Sequence, residues 1–290
     1  LSANGLVDPR SQELMRKQFD GVLLNAPVAF RKRFLHTRAH EPALVWRQTA
    51  LKHAPTVFPF MPNHKIVFLF DVDNTLLEND RVTADLKRHL QREVGPDRAQ
   101  HYWAIFEQLR GELGYADYLG ALQRYRIQYP RDPRLLTVSK FLVNYPFANR
   151  LYPNSLDAID HVKQWGPAVI LSDGDVVFQP RKVERSGLLE AVDGQALIYV
   201  HKEHELDDVV ERFPADHYVM VDDKLRILAA MKKIWGERLT TVFPRQGHYA
   251  LDPKAIATYP PADITIERIG ELVNYDLPAL LGAARAVRAP

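Results

Sequence analysis

The chain contains no cysteine. Disulfides, zinc–thiolate centres and thiol nucleophiles are therefore excluded, although the absence identifies no compartment. No run of about 18 apolar residues occurs, so neither a membrane-spanning helix nor a membrane partner is expected. An excess of one charge is also lacking. The 38 Lys and Arg against 36 Asp and Glu leave a net +2, too little by itself to call for nucleic acid or an anionic surface. Internal repeats and low-complexity tracts are absent. What remains is 290 residues, 46% hydrophobic and 26% charged, the balance of an ordinary folded protein. That length accommodates one large domain, or a core carrying a smaller second one. The chain opens on Leu1 rather than methionine, as a processed form would, and a cytoplasmic location is expected.

Residues 1–63 read as a helical N-terminal extension, interrupted at Pro27 and Pro42 and punctuated near its end by Pro55, Pro59 and Pro62. Its basic stretch, Arg31, Lys32, Arg33 and Arg38, reads as a solvated helical arm. His36 and His40 have the i, i+4 spacing of a zinc pair, but no third ligand is near them. Lys65–Phe70 is a short apolar run of residues that favour strands, expected as a buried parallel strand. Similar runs follow at Ala168–Leu171, Tyr218–Val221 and Leu239–Phe243, with weaker ones at Leu197–Val200 and Ile264–Ile266. Helical periodicity separates the later runs, through Leu206, Val209, Val210 and Phe213, then through Leu225, Ile227, Leu228, Met231 and Ile234 to a stop at Gly236. Strands alternating with helices predict a parallel sheet covered on both faces.

Residues 80–150 differ. Four amphipathic stripes lie there with no convincing strand: Val82–Val94, Tyr102–Leu113, Tyr118–Tyr129 and Leu135–Tyr145. Breaks are expected at Gly95-Pro96, between Gly111 and Gly114, and between Pro130 and Pro133. The aromatics of these stripes read as helix packing. An all-helical insert between the first and second strands is thus predicted, placed over the strand ends.

Polar residues follow the predicted strands, where open α/β sheets bind their ligands. They are Asp71-Val72-Asp73-Asn74-Thr75, Ser172-Asp173-Gly174, Lys202, and Asp222-Asp223. In this order they resemble the four motifs of the haloacid dehalogenase superfamily, in its phosphatase branch with a helical cap after the first motif. The resemblance covers roughly residues 64–275. It implies a doubly wound, Rossmann-like α/β core at 64–78 and 156–290, an inserted all-helical cap at 79–155, and strand order 5-4-1-2-3.

The resemblance also implies roles. Asp71 would be a nucleophile that is transiently phosphorylated. Asp73 would protonate the leaving alkoxide and then deprotonate water. Thr75, Ser172 and Asp173 would line the phosphate site, with the Ser172 hydroxyl and the amides after it as donors. Lys202 would offset charge on the phosphoryl oxygens and Asp71. Mg2+ would be held by Asp71, Asp222 and the backbone carbonyl of Asp73. The implied partner is a small phosphorylated substrate, and a homo-oligomer is compatible with the pattern.

Other readings stand beside these. Asp73, Asn74, Thr75, Asp222 and Asp223 are all residue types that cap helices. Lys182 also lies between the second and fourth motifs, but inside a predicted helix, whereas Lys202 stands at a strand end. His201 and His204 flank Lys202 and read as surface residues. Dehalogenation is disfavoured by the resemblance, since it needs neither magnesium nor a second acid in the first motif. A sugar-phosphate mutase and a non-catalytic binding protein are the alternatives. Substrate selection would fall to insert residues, with Arg110, Tyr115, Arg124 and Lys140 the candidates.

Overall fold

The computed structural model describes residues 64–286, with side chains through residue 282. The arm at 31–38 and the His36–His40 pair lie outside the described residues.

The first strand, β1 (His64–Phe70), has its last five residues buried. Alternation splits them between faces: Phe68 and Phe70 join one apolar cluster, Val67 and Leu69 the other. Burial on both sides is why the run is continuous rather than alternating. Five further strands follow, β2 (Ala168–Asp173), β3 (Ala196–Tyr199), β4 (Ala215–Val221), β5 (Leu239–Pro244) and β6 (Ile264–Ile266). All pair in parallel, in the order β3-β2-β1-β4-β5-β6. The expected five-strand order is present, with β6 added at the edge. Strand order runs outward in opposite directions on the two sides of β1, which places a topological switch point at its carboxyl end. β3 ends one residue before the predicted limit, and Val200 is exposed.

After β1 the chain first forms four helices, α1 (Asn79–Val94), α2 (Pro96–Leu113), α3 (Tyr118–Gln128) and α4 (Leu135–Asn144). Their buried residues follow the predicted stripes: Val82, Leu86 and Leu90, then Tyr102, Ile105, Phe106 and Leu109, then Tyr118, Leu122 and Tyr125, then Val138 and Leu142. Pro96 begins α2, where its missing N–H costs nothing. Gly111 does not end that helix; Gly114 does, in the left-handed conformation at φ 80°. The apolar cluster on the Phe68–Phe70 face runs without interruption into these helices, through Phe147 and Phe178.

The remaining helices flank the sheet: α5 (Ser155–Lys163), α6 (Phe178–Arg185), α7 (Leu188–Ala191), α8 (Leu206–Arg212), α9 (Leu225–Trp235), α10 (Gly247–Ala250), α11 (Pro253–Thr258) and α12 (Leu277–Ala286). Ile234, counted on the α9 stripe, is exposed instead. No helix among the described residues is long and apolar enough to cross a membrane.

Candidate active site

Strand register assembles the site. Phe70 pairs with Ile170 on one side and Val221 on the other. The next residue, Asp71, therefore stands level with Asp222 and one step short of Ser172. Asp71 is buried, and three donors converge on its carboxylate. Lys202 Nζ and Ser172 Oγ donate to Oδ1 at 2.6 and 3.3 Å, and Thr75 Oγ1 donates to Oδ2 at 3.4 Å. Burial opposes charge here, yet the ammonium groups of Lys202 and Lys224 hold Asp71 below the usual carboxylate range.

Lys202 is fully buried, in a short 3-10 turn just beyond β3. Besides Asp71, it lies 2.6 Å from Asp222 Oδ2 and donates to the Leu171 carbonyl at 3.1 Å. Burial alone would strip its proton, but Asp222 and Asp71 more than offset that and keep it charged. Its backbone N–H donates to Asp173 Oδ1 at 2.7 Å. Asp173 thus shapes the turn that delivers Lys202. Burial pushes its carboxyl above the ordinary range despite that lysine.

Thr75 joins two motifs, because its Oγ1 also accepts the Asp223 N–H at 3.0 Å. Asn74 braces the start of α1 from the preceding loop, while the N-cap position itself is Glu78. The Asn74 side chain accepts from the Asp80 N–H at 3.1 Å and donates to Asp80 Oδ1 at 3.0 Å. Asn74 has φ 61°, and Gly247 passes so close that an added Cβ would come within 2.4 Å of Asn74 Cβ. Asp222 does local work as well, accepting the Lys224 N–H at 2.8 Å before α9.

Asp73 stands apart from that cluster, on the cavity above it, and the second lysine belongs to it. Lys182, on α6 and fully buried, donates to Asp73 Oδ1 at 2.5 Å and to Asn79 Oδ1 at 3.1 Å. The structure thus gives the two lysines separate carboxylates.

Residues 67–234 match the haloacid dehalogenase-like hydrolase family. A haloacid dehalogenase-like hydrolase from Burkholderia xenovorans is 68% identical, covering 73% of this chain and 99% of its own, with a TM-score of 0.71. The chain is a haloacid dehalogenase-like hydrolase. At lower identity only the fold is shared. A hydrolase of the same superfamily from Xanthomonas campestris is 17% identical over 78% of this chain and 95% of its own, TM-score 0.55. An L-2-haloacid dehalogenase is 16% identical over 73% and 99%, TM-score 0.53. No curated protein matches the chain.

Three acids of this hydrolase offer oxygens that lie within 4.8 Å of one another: Asp71, Asp222 and Asp223. Asp223 was predicted as half of an acid pair, not as a ligand. Both of its carboxylate oxygens are buried without a hydrogen-bond donor among the described residues, whereas Oδ2 of Asp222 faces Lys202 Nζ at 2.6 Å. Burial, aided by the neighbouring carboxylates, pushes Asp222 up to about 6 and Asp223 well above the ordinary range. Orphaned buried carboxylate oxygens are costly and call for a cation. The cluster therefore fits a metal bound through hard oxygens.

Other contributors gave no sequence signal. Gln179 is buried and donates to Ser172 Oγ at 3.0 Å, orienting that hydroxyl. Gly174 permits this, since a Cβ there would come within 2.5 Å of Gln179 Cβ. Lys224, half-buried beside the acids, is kept charged against burial by Asp223 and Asp71.

A cavity of about 690 Å³ opens over the site, lined by Asp73, Asp173, Lys182 and Lys224 below and by α1 and α2 above. Of the insert candidates, Arg110 and Tyr115 line it, whereas Arg124 and Lys140 do not. Arg124 instead pairs with Glu112 at 2.6 Å on the exposed face. His201 is half-buried and His204 exposed, and neither belongs to an acid or metal cluster among the described residues.

Proposed function

We propose that this hydrolase is a magnesium-dependent phosphatase acting on a small phosphorylated metabolite. The observation carrying this reading is a second carboxylate, Asp73, two residues beyond a nucleophile that itself belongs to a buried acid cluster. A halide leaves without a proton, so displacing it needs no such acid. An alkoxide does need one.

Asp71 attacks phosphorus, forming a P–O bond to its carboxylate as the ester P–O bond breaks. The departing oxygen takes a proton from Asp73. In the second half, Asp73 removes a proton from water as the water oxygen attacks the aspartyl-phosphate. The P–O bond to Asp71 then breaks, releasing inorganic phosphate and restoring the carboxylate. Lys202 and Ser172, which both donate to Asp71 Oδ1, would offset the charge that develops on the phosphoryl group, and Gln179 keeps the serine hydroxyl aimed. Lys182 fixes the position of Asp73.

Asp71, Asp222 and Asp223 would hold Mg2+, with the Asp73 carbonyl as the further oxygen implied by the resemblance. Once bound, the metal would offset the charge of the acids and phosphoryl oxygens. Helices α1 to α4 serve as the cap that encloses the leaving group.

The test is release of inorganic phosphate from p-nitrophenyl phosphate, with magnesium and with a chelator, alongside chloride release from 2-chloropropionate. Magnesium-dependent phosphate release that Asp71→Asn abolishes supports the reading. Chloride release without phosphate release would overturn it.

A further inference from the structure

Two helix faces wall the cavity over the site. On α1 the lining residues are Asn79, Asp80, Thr83, Ala84 and Lys87, a stripe at i, i+4 and i+8 with its companions. Asn79 sits at the phosphate end, since Lys182 Nζ bridges it to Asp73. Eight residues at 1.5 Å each place the Lys87 backbone about 12 Å further along the helix. On α2 the lining residues Trp103, Phe106, Glu107 and Arg110 follow the same periodicity.

Charge pairing along this wall leaves one cation over. Lys182 is paired with Asp73 at 2.5 Å, Arg110 with Glu107 at 2.8 Å and Arg226 with Glu203 at 2.5 Å, while the His248 ring is hydrogen-bonded to Asp80 at 2.6 Å. Lys224 faces the carboxylate cluster. Lys87 has no acid within ion-pair distance among the described residues; its ammonium stands 5.1 Å from the centre of the Trp103 ring. Beside it, Trp103 Nε1–H is enclosed with no acceptor among the described residues. An ammonium with no acid partner thus stands over the Trp103 ring, at the end of the wall remote from Asp73. Between the two ends runs an aromatic wall, with Phe106 and Tyr118 stacked at 4.8 Å and Tyr118 packed on Phe178 at 5.1 Å.

We propose that this far end is a second anion subsite and that the substrate is an elongated phosphomonoester with a carboxylate or second phosphate at its other terminus. Lys87 recognises that terminus, while the aromatic wall contacts the body between the two charges. The inference rests on the phosphatase reading and adds the substrate class. Asp71 and its neighbours hold only the ester phosphate, and Lys87 supplies the discrimination.

The experiment compares kcat/KM for a homologous series of ω-carboxyalkyl phosphates with the matched neutral carboxamides. A third arm uses alkanediol bisphosphates to separate a terminal carboxylate from a terminal phosphate. The expected result is a preference of about tenfold or more for an anionic terminus, in keeping with a hydrogen bond between charged groups. The preference should peak at the chain length spanning about 12 Å, the rise from Asn79 to Lys87. Lys87 is exposed, so Lys87→Met should fold; it should bring the ratio close to one, and Lys87→Glu should invert it. Equal rates for charged and neutral termini in the wild type, or a preference surviving Lys87→Met, would overturn the subsite. Turnover of p-nitrophenyl phosphate without that preference would refute the subsite alone. Failure to turn over any phosphomonoester would overturn the phosphatase reading with it.

Discussion

Lys202→Met removes one ammonium and almost no volume, which makes it a direct probe of the buried cluster. The wild-type ammonium lies 2.6 Å from both Asp71 and Asp222 and is fully buried. Breaking a buried ion pair from one side costs about 3–5 kcal/mol, because the partner charge is left in a poorly polarisable place. For a domain of this size, each kcal/mol moves the melting temperature by roughly 2–4 °C, so a fall of about 6–20 °C is expected. The loss should be larger at pH 8 than at pH 5. Asp222, already pushed up to about 6, can take up a proton at the lower pH instead of remaining as an unpaired charge. Magnesium should then stabilise the variant more than the wild type, since a ligand that binds only the folded state adds stability with its affinity. The assay is thermal unfolding at both pH values, with and without magnesium. A variant melting within about 2 °C of wild type, with the same magnesium response, would refute the charge balance described here.

Asp73→Asn should lower turnover of alkyl phosphates by roughly 100- to 10,000-fold while sparing an activated aryl phosphate, whose leaving group needs no proton. Equal losses on both would show that Asp73 is not the acid. Asp223→Ala should raise the magnesium concentration needed for half-maximal rate, and an unchanged requirement would remove Asp223 from the ligand set. Asp85 offers a test of acid stability. Burial opposes its charge, but hydrogen bonds from Tyr145 and Arg150 prevail and hold its carboxyl below the ordinary range. Its contribution should therefore be present above about pH 4 and lost as pH falls through the folded value. Melting temperature followed from pH 6 down to pH 2 should fall less steeply in Asp85→Asn, and identical slopes would contradict this.

The strands and the acids at their ends were legible because a buried parallel strand has a local signature, an apolar run, and the first polar residue after it marks the end. Helix stripes were legible for a similar reason, although Gly111 shows that a glycine inside a well-packed helix need not break it. Contacts across the sheet were not legible. Gln179 is one glutamine on a short helix, and only the fold brings it to Ser172. Asp223 and Lys224 sit beside a recognised acid, but that both face the cluster depends on how the chain turns into α9. The two lysines differ in the same way. Sequence distance from a strand distinguishes Lys202 from Lys182, yet nothing local shows that Lys182 crosses to Asp73. The charge of Arg124 suggests a substrate contact, yet it is matched by Glu112 from a neighbouring helix.

The position of β1 in the middle of the sheet has a consequence for synthesis. Its partner in β2 lies 100 residues later, from Phe70 to Ile170, and its partner in β4 lies 151 later, from Phe70 to Val221. At about 5–20 residues per second, the ribosome needs roughly 8–30 s to deliver β4 after β1 has been made. Until then an apolar strand bearing Asp71 has an open edge, and long-range pairing of this kind is slow to form and prone to association. Helices α1 to α4 are synthesised within that interval, and they bury the Phe68–Phe70 face through the cluster they share with it. Among the described residues, the insert that roofs the finished site is thus also the first cover available to its central strand.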